Sequence, residues 1–172
     1  MTLDLYVDAD FAGLWNYEEV TDPSCVRSRT GYVITMGNIP VTWQSKLQTE
    51  VALSTMESEY IAASYGMRSL LPMRDILKVL CKALNIHRSV QSTVSTVWED
   101  NAAALILMQA PLPKMTPRSK HIAVKYHWFR EHFSDTTIIP KKIASEQQKA
   151  DIFTKALRQD SLERNRLALM GW

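Results

Sequence analysis

The chain opens on alternating apolar and polar positions, Leu3, Asp4, Leu5, Tyr6, Val7 and Asp8, whose period of two predicts a strand over residues 3–8. Residues 9–29 lose that regularity, and Gly13, Asp22-Pro23-Ser24 and mixed charge predict a long irregular connection. Two β-rich runs follow at 30–36 and 39–44, joined by Gly37-Asn38, a pair suited to the positive φ angles of a tight hairpin turn. Pro40 has no N–H to give to a ladder, so its strand should carry a bulge or lie at a sheet edge. After a polar link at 45–50, Ser54 and Glu57 have the spacing of a capping box that opens a helix. The predicted buried stripe of that helix is Met56, Tyr60, Ala63, Met67, Leu70 and Leu71, at steps of three and four. Pro72 should end or kink it, with 73–84 as a second segment.

Farther on, the β-branched stretch 94–98 predicts a short buried strand, closed by Glu99-Asp100-Asn101 ahead of a helical run at 102–108. Pro111, Pro113 and Pro117 form a stiff bridge into 118–133, where Ile122, Tyr126, Phe129 and Phe133 recur at helical spacing. Residues 137–143 read as a last strand, placed at an edge by Pro140, and 145–148 as the cap of a final helix carrying Asp151, Phe153 and Leu157. Residues 158–172 have the pattern of a short amphipathic helix. Tyr6, Tyr32, Trp43, Trp98 and Trp128 sit where packing explains them better than base stacking does.

At 172 residues, 46% hydrophobic and 22% charged, the chain has the length and composition of one soluble globular domain. A net charge of +2 neither demands nor excludes a polyanionic partner. Cys25 and Cys81 form no motif and read as structural thiols in a reducing compartment. The absence of a long apolar run or a signal-peptide pattern predicts neither membrane insertion nor secretion, and a strand starting almost at Met1 is expected of a domain cut from a longer polypeptide.

Four acids change this picture. Asp8 ends the first strand, Glu59 falls inside the apolar stripe of the first helix, Asp100 ends a strand, and Asp151 stands near the start of the final helix. Glu57 lies about 200° around the helix from Glu59 and is assigned to the capping box instead. Like charges gathered at one spot raise each other's pKa unless a cation neutralises them, so the set predicts a divalent-metal site. All-carboxylate ligation suits a hard cation, not zinc. Asp10 is open between a role in that site and turn chemistry. His121, His127 and His132 do not form a helical ligand pair and are read as structural.

Several strings sharpen the reading: Tyr6-Val7-Asp8-Ala9-Asp10-Phe11-Ala12-Gly13, Ser28-Arg29-Thr30-Gly31-Tyr32-Val33, residues 51–63 around Ser54-Thr55-Met56-Glu57-Ser58-Glu59-Tyr60, Asp100-Asn101, Ser119-Lys120-His121-Ile122 with Tyr126-His127, and Gln148-Lys149-Ala150-Asp151-Ile152-Phe153-Thr154-Lys155. Taken in order over nearly all of residues 1–157, the chain resembles the ribonuclease H domain of copia-type (Pseudoviridae-like) LTR retrotransposon Pol polyproteins. The resemblance implies an α/β ribonuclease H-like fold, a five-stranded mixed sheet of order 3-2-1-4-5 with helices on both faces, filling residues 1–157 ahead of a tail at 158–172. It also implies an endonuclease that hydrolyses the RNA strand of RNA/DNA hybrids during reverse transcription, using two Mg2+ ions, with Mn2+ as an alternative.

Carried over residue by residue, the family's metal-binding and catalytic acids fall on Asp8, Glu59, Asp100 and Asp151. Asp8 would bridge both ions, Glu59 and Asp100 hold one, and Asp151 complete the shell of the second. Ser54, Thr55 and Asn101 beside the acids, with Arg118, Lys120, His121 and Lys125, become candidates for contacts to 2′-hydroxyls and phosphates. For residues 118–125 a solvated basic face is an equal alternative. The implied partners are the hybrid and the reverse transcriptase domain of the same polyprotein, inside a cytoplasmic virus-like particle or the nucleus. Ala102, Ala103 and Ala123 depart from more usual family side chains, and no histidine loop precedes Asp151 as it does in cellular ribonucleases H. Three rivals stand beside this reading: an aspartyl-phosphate phosphatase built on Asp8-Ala9-Asp10, a resolvase or integrase of the same superfamily, and a catalytically impaired nucleic-acid clamp.

Overall fold

A computed structural model of the chain describes residues 2–15, 17, 21–86, 94–111, 122, 124–133 and 136–171. Its sheet has five strands, β1 (Leu3–Asp10), β2 (Arg29–Met36), β3 (Ile39–Leu47), β4 (Ser95–Glu99) and β5 (Ile138–Lys142), in the order β3-β2-β1-β4-β5. The first three are antiparallel neighbours, while β4 runs parallel to β1 and β5 parallel to β4. The hairpin forms where expected: Gly37 and Asn38 have φ of 56° and 70°, the two positive values that match the twist of the flanking strands. Pro40 pairs with Thr35 at a register shift beside Ile34, in an edge strand where its missing N–H costs no ladder bond.

Helix α1 (Thr55–Ala83) and helix α2 (Ala102–Gln109) cover one side of the sheet. Leu3, Leu5 and Val7 point toward α1 and bury with Tyr60, Ala63, Met67 and Leu70, so the predicted stripe is the core face, with Met56 and Leu71 at its margin. Tyr6 and Val33 face the other way and pack with Ala150 and with Leu169 of helix α3 (Gln159–Met170). At the start of α1, Ser54 Oγ accepts from the Glu57 N–H at 3.2 Å while Glu57 Oε2 accepts from the Leu53 N–H at 2.8 Å. The capping assignment of Glu57 follows from this pair.

Four expectations are corrected. Helix α1 continues through Pro72 as one element, since Pro72 and Arg68, whose carbonyl loses its N–H partner, both face solvent, where water can serve it. In place of an α-helix at 118–133, the described part consists of 3-10 stretches at Val124–Tyr126 and Trp128–Phe133. Here tertiary partners override the helical spacing: buried His127 meets Tyr60, and buried Arg130 donates to the Ala110 carbonyl at 2.6 Å. The final helix does not start at 145. Gln148 turns inward, leaving single 3-10 turns at Ser145–Gln147 and Asp151–Phe153, with Leu157 outside any helix. Trp43 is 59% exposed on the edge strand, not packed, while Tyr6 and Tyr32 are buried.

Gly31 permits a close approach that matters for the site. It pairs with Asp8, and a Cβ there would meet Thr154 Cγ2 at 2.5 Å and Phe153 Cβ at 3.0 Å. Gly31→Ala is therefore expected to lift the 150–154 turn off the sheet and destabilise the protein by about 1–3 kcal/mol, seen as a lower midpoint in urea. An unchanged midpoint would show that the turn is not seated as described.

Candidate metal centre

Parallel pairing of β1 with β4 covers Leu5–Val97 and Tyr6–Trp98, so Asp8 and Asp100 both lie beyond the paired stretch, at the carboxyl ends of adjacent strands. That is where open α/β sheets place their ligands. Glu59 arrives from the first turns of α1, which is anchored to the sheet by Gln48: its buried Nε2 donates to Thr30 Oγ1 at 3.0 Å and to the Ser58 carbonyl at 2.9 Å. One carboxylate oxygen from each of Asp8, Glu59 and Asp100 lies within 4.8 Å of the others. Asp8 and Glu59 are buried, and Asp100 is partly open and accepts from Ser145 Oγ at 2.8 Å. Glu59 and Asp100 line a cleft of about 480 Å3 together with Thr55, Asn101 and Lys155, with Asp8 buried beneath.

Asp151 is placed differently. Its carboxylate binds Lys155 Nζ at 2.7 Å, and the same ammonium reaches Asp8 Oδ1 at 3.0 Å. Asp151 thus meets Asp8 through a lysine and is not part of the group of three. Thr154 Oγ1 donates to Asp8 Oδ2, so both oxygens of the buried Asp8 are engaged from the 151–155 turn.

The electrostatics are those of acids crowded out of water. Burial raises the Asp8 carboxyl from 3.8 to about 6, against the pull of Lys155 and the Thr154 hydroxyl. Burial likewise pushes Glu59 well above the usual range, and the charges of Glu99, Asp8 and Asp100 push it further. Glu99, fully buried, is raised by burial and by Asp100 and Asp8, although the Asn101 N–H bonds it at 2.9 Å. For Lys155, burial works against the charge, but Asp8 and Asp151 outweigh it and hold the ammonium above the ordinary lysine range.

These residues fit a divalent cation. Three hard carboxylate oxygens converge, and Glu59 Oε2 is buried without a hydrogen-bond partner among the described residues. On the Asp151 side the fit is contested by Lys155.

The other candidates divide. Thr55 lines the cleft, whereas the side-chain oxygens of Ser54 and Asn101 cap helices, Asn101 Oδ1 accepting from Ala103 and Ala104 at 3.0 Å each. Lys125 is ion-paired with Glu50. Arg118, Lys120 and His121 lie outside the described residues. Asp10 lines the cleft, and its carboxylate folds over Gly13, where a Cβ would collide with it. Three contributors escaped the sequence reading. Glu99 was legible from strand alternation with the inward Val97, and Lys155 from its i,i+4 spacing to Asp151. Gln148, whose Nε2 donates to the Val7 carbonyl at 2.8 Å, had no local signal.

No family model matches the chain. It is 34% identical over 158 residues, 92% of its length, to the retrovirus-related Pol polyprotein from transposon TNT 1-94 of Nicotiana tabacum. Over 157 residues, 91% of its length, it is 30% identical to the corresponding polyprotein from transposon RE2 of Arabidopsis thaliana. The chain spans about 10% of the length of these curated relatives. Among solved structures, it is similar to LC11-RNase H1 in complex with RNA/DNA hybrid, with a TM-score of 0.53 and 14% identity, covering 89% of this chain and 94% of that one. RNase H1 from the halophilic archaeon Halobacterium salinarum NRC-1 superposes with a TM-score of 0.52 at 11% identity, covering 95% and 98%. A sheet of order β3-β2-β1-β4-β5, these structural likenesses and the polyprotein homology agree: the chain has the ribonuclease H fold, and its homologues are segments of copia-type transposon Pol polyproteins.

Proposed function

We propose that the protein is an endonuclease hydrolysing the RNA strand of RNA/DNA hybrids during reverse transcription, with two divalent cations, Mg2+ or Mn2+, as cofactors. The observation that carries this reading is the meeting of Asp8, Glu59 and Asp100 within 4.8 Å from three separate elements. The ribonuclease H fold and the polyprotein homology support it. When bound, the cations would supply an activated water and neutralise charge at the phosphodiester.

The chain's own part is to hold and orient. Asp8, Glu59 and Asp100 would take one cation and Asp8 with Asp151 the other, while Ser145 steadies Asp100 and Thr154 steadies Asp8. Burial keeps water from competing for Asp8 and Glu59. Thr55 and Asn101 line the cleft wall, and on this reading the Thr55 hydroxyl and the Asn101 amide nitrogen would meet a 2′-hydroxyl, the group that marks the RNA strand. The proposed partners are the hybrid and a reverse transcriptase domain of the same polyprotein, in a virus-like particle or the nucleus.

A hybrid labelled on each strand tests this directly. With Mg2+, RNA fragments bearing 5′-phosphates should accumulate while the DNA strand stays whole. Cutting of duplex DNA would favour a resolvase or integrase, and binding without cutting a clamp.

A further inference from the structure

We propose that Lys155 is a built-in counter-cation that occupies the Asp8–Asp151 side of the site. A first divalent ion then enters from the Glu59 and Asp100 side, where among the described residues Asp8 Oδ2 meets only the Thr154 hydroxyl, and a second binds only when Lys155 withdraws. This rests on the metal-site reading above and adds an order of loading to it.

Three observations carry it. The Lys155 ammonium lies 3.0 Å from Asp8 and 2.7 Å from Asp151, contact distances at which a second cation on the same oxygens would meet both a filled position and a like charge. The placement is built by the backbone: the Asp151 carbonyl accepts from the N–H of Thr154 and of Lys155, at 3.1 and 3.0 Å, closing the turn that aims the lysine back at its own acid. The third is that the ammonium has somewhere to go. Lys155 is 37% exposed and lines two cavities, the catalytic cleft and a neighbour of about 850 Å3 bordered by Trp15, Arg29 and Thr154. A lysine suits this role better than an arginine would, because its charge is compact and its stem flexible. Asp10 also feels the ammonium and Arg29, and Glu59 feels it from the other side, so removing Lys155 leaves four acids facing one another.

The test uses Mn2+ alone, counted by the resonance signal of the free ion, without nucleic acid. The wild type should bind one ion tightly and a second at least tenfold more weakly. Lys155→Met should tighten the second site tenfold or more and change the first less than threefold, while melting at a lower temperature in EDTA and recovering with Mn2+. Lys155→Arg, which keeps the charge, should leave the second site weak. A second site unchanged or lost in Lys155→Met, with the first intact, would overturn the role of Lys155 alone. Absence of a tight first site in the wild type would overturn the metal-site reading and this inference with it. If Lys155→Met does not fold, Lys155→Gln is scored by the same two affinities.

Discussion

Asp8→Asn is expected to abolish cleavage while making the metal-free protein more stable. Asparagine has the shape of the neutral carboxylic acid, and the neutral form is what the site prefers: Asp8 is 0% exposed and burial moves its pKa from 3.8 to about 6. At roughly 1.36 kcal/mol per unit, the ionised side chain costs on the order of 3 kcal/mol at neutral pH. For a domain of this size that corresponds to a rise in melting temperature of about 6–12 °C. Activity should move the other way, falling roughly a thousandfold or more as several kcal/mol of metal-dependent stabilisation disappear. Melting curves in EDTA at pH 7.5 and single-turnover cleavage in Mg2+ measure the two together. A variant that melts lower, or that cuts as well as its parent, would contradict this account of Asp8.

The second large effect is a crossed dependence on pH and metal. Without divalent ions the protein should be more stable near pH 5 than at pH 8. Asp8, Glu59 and Glu99 all have folded pKa values above their unfolded ones, so between about pH 4 and pH 6, and higher for the two glutamates, the native state binds more protons than the unfolded chain. Their contribution is fully present below about pH 4 and is lost as pH rises through the folded values. Glu50 and Asp22, held below the usual range, act in the opposite sense and lose their contribution as pH falls, which sets the acid limb of the optimum. Lys155, raised, titrates well above this window. Cations favour the ionised carboxylates, so Mg2+ should raise the melting temperature much more at pH 8 than at pH 5. A melting temperature in EDTA that climbs steadily from pH 5 to pH 8 would refute the crowded-acid picture.

Much of the architecture was legible because it is local. The β1 alternation, the Gly37-Asn38 turn, Pro40 at an edge and the Ser54–Glu57 cap are each decided by a few neighbouring residues, and each appears in the structure. The convergence of Asp8, Glu59 and Asp100 was legible from the ends and faces of the elements that carry them. What escaped depends on partners distant in sequence. The 3-10 geometry around His127 and Arg130 follows from Tyr60 and Ala110, and the broken helix at 145–153 follows from one glutamine that leaves its own turn for another strand. Lys125 looked like a free basic group until Glu50, 75 residues away, was seen beside it.

That glutamine also governs how the site moves. Because Gln148 clasps the Val7 carbonyl, immediately before Asp8, the arm bearing Asp151 and Lys155 is moored to the strand it must serve. The hydrogen bond ties the backbone of the arm to the strand that carries Asp8, so the stem of Lys155 starts from a fixed place and only its side chain has to swing.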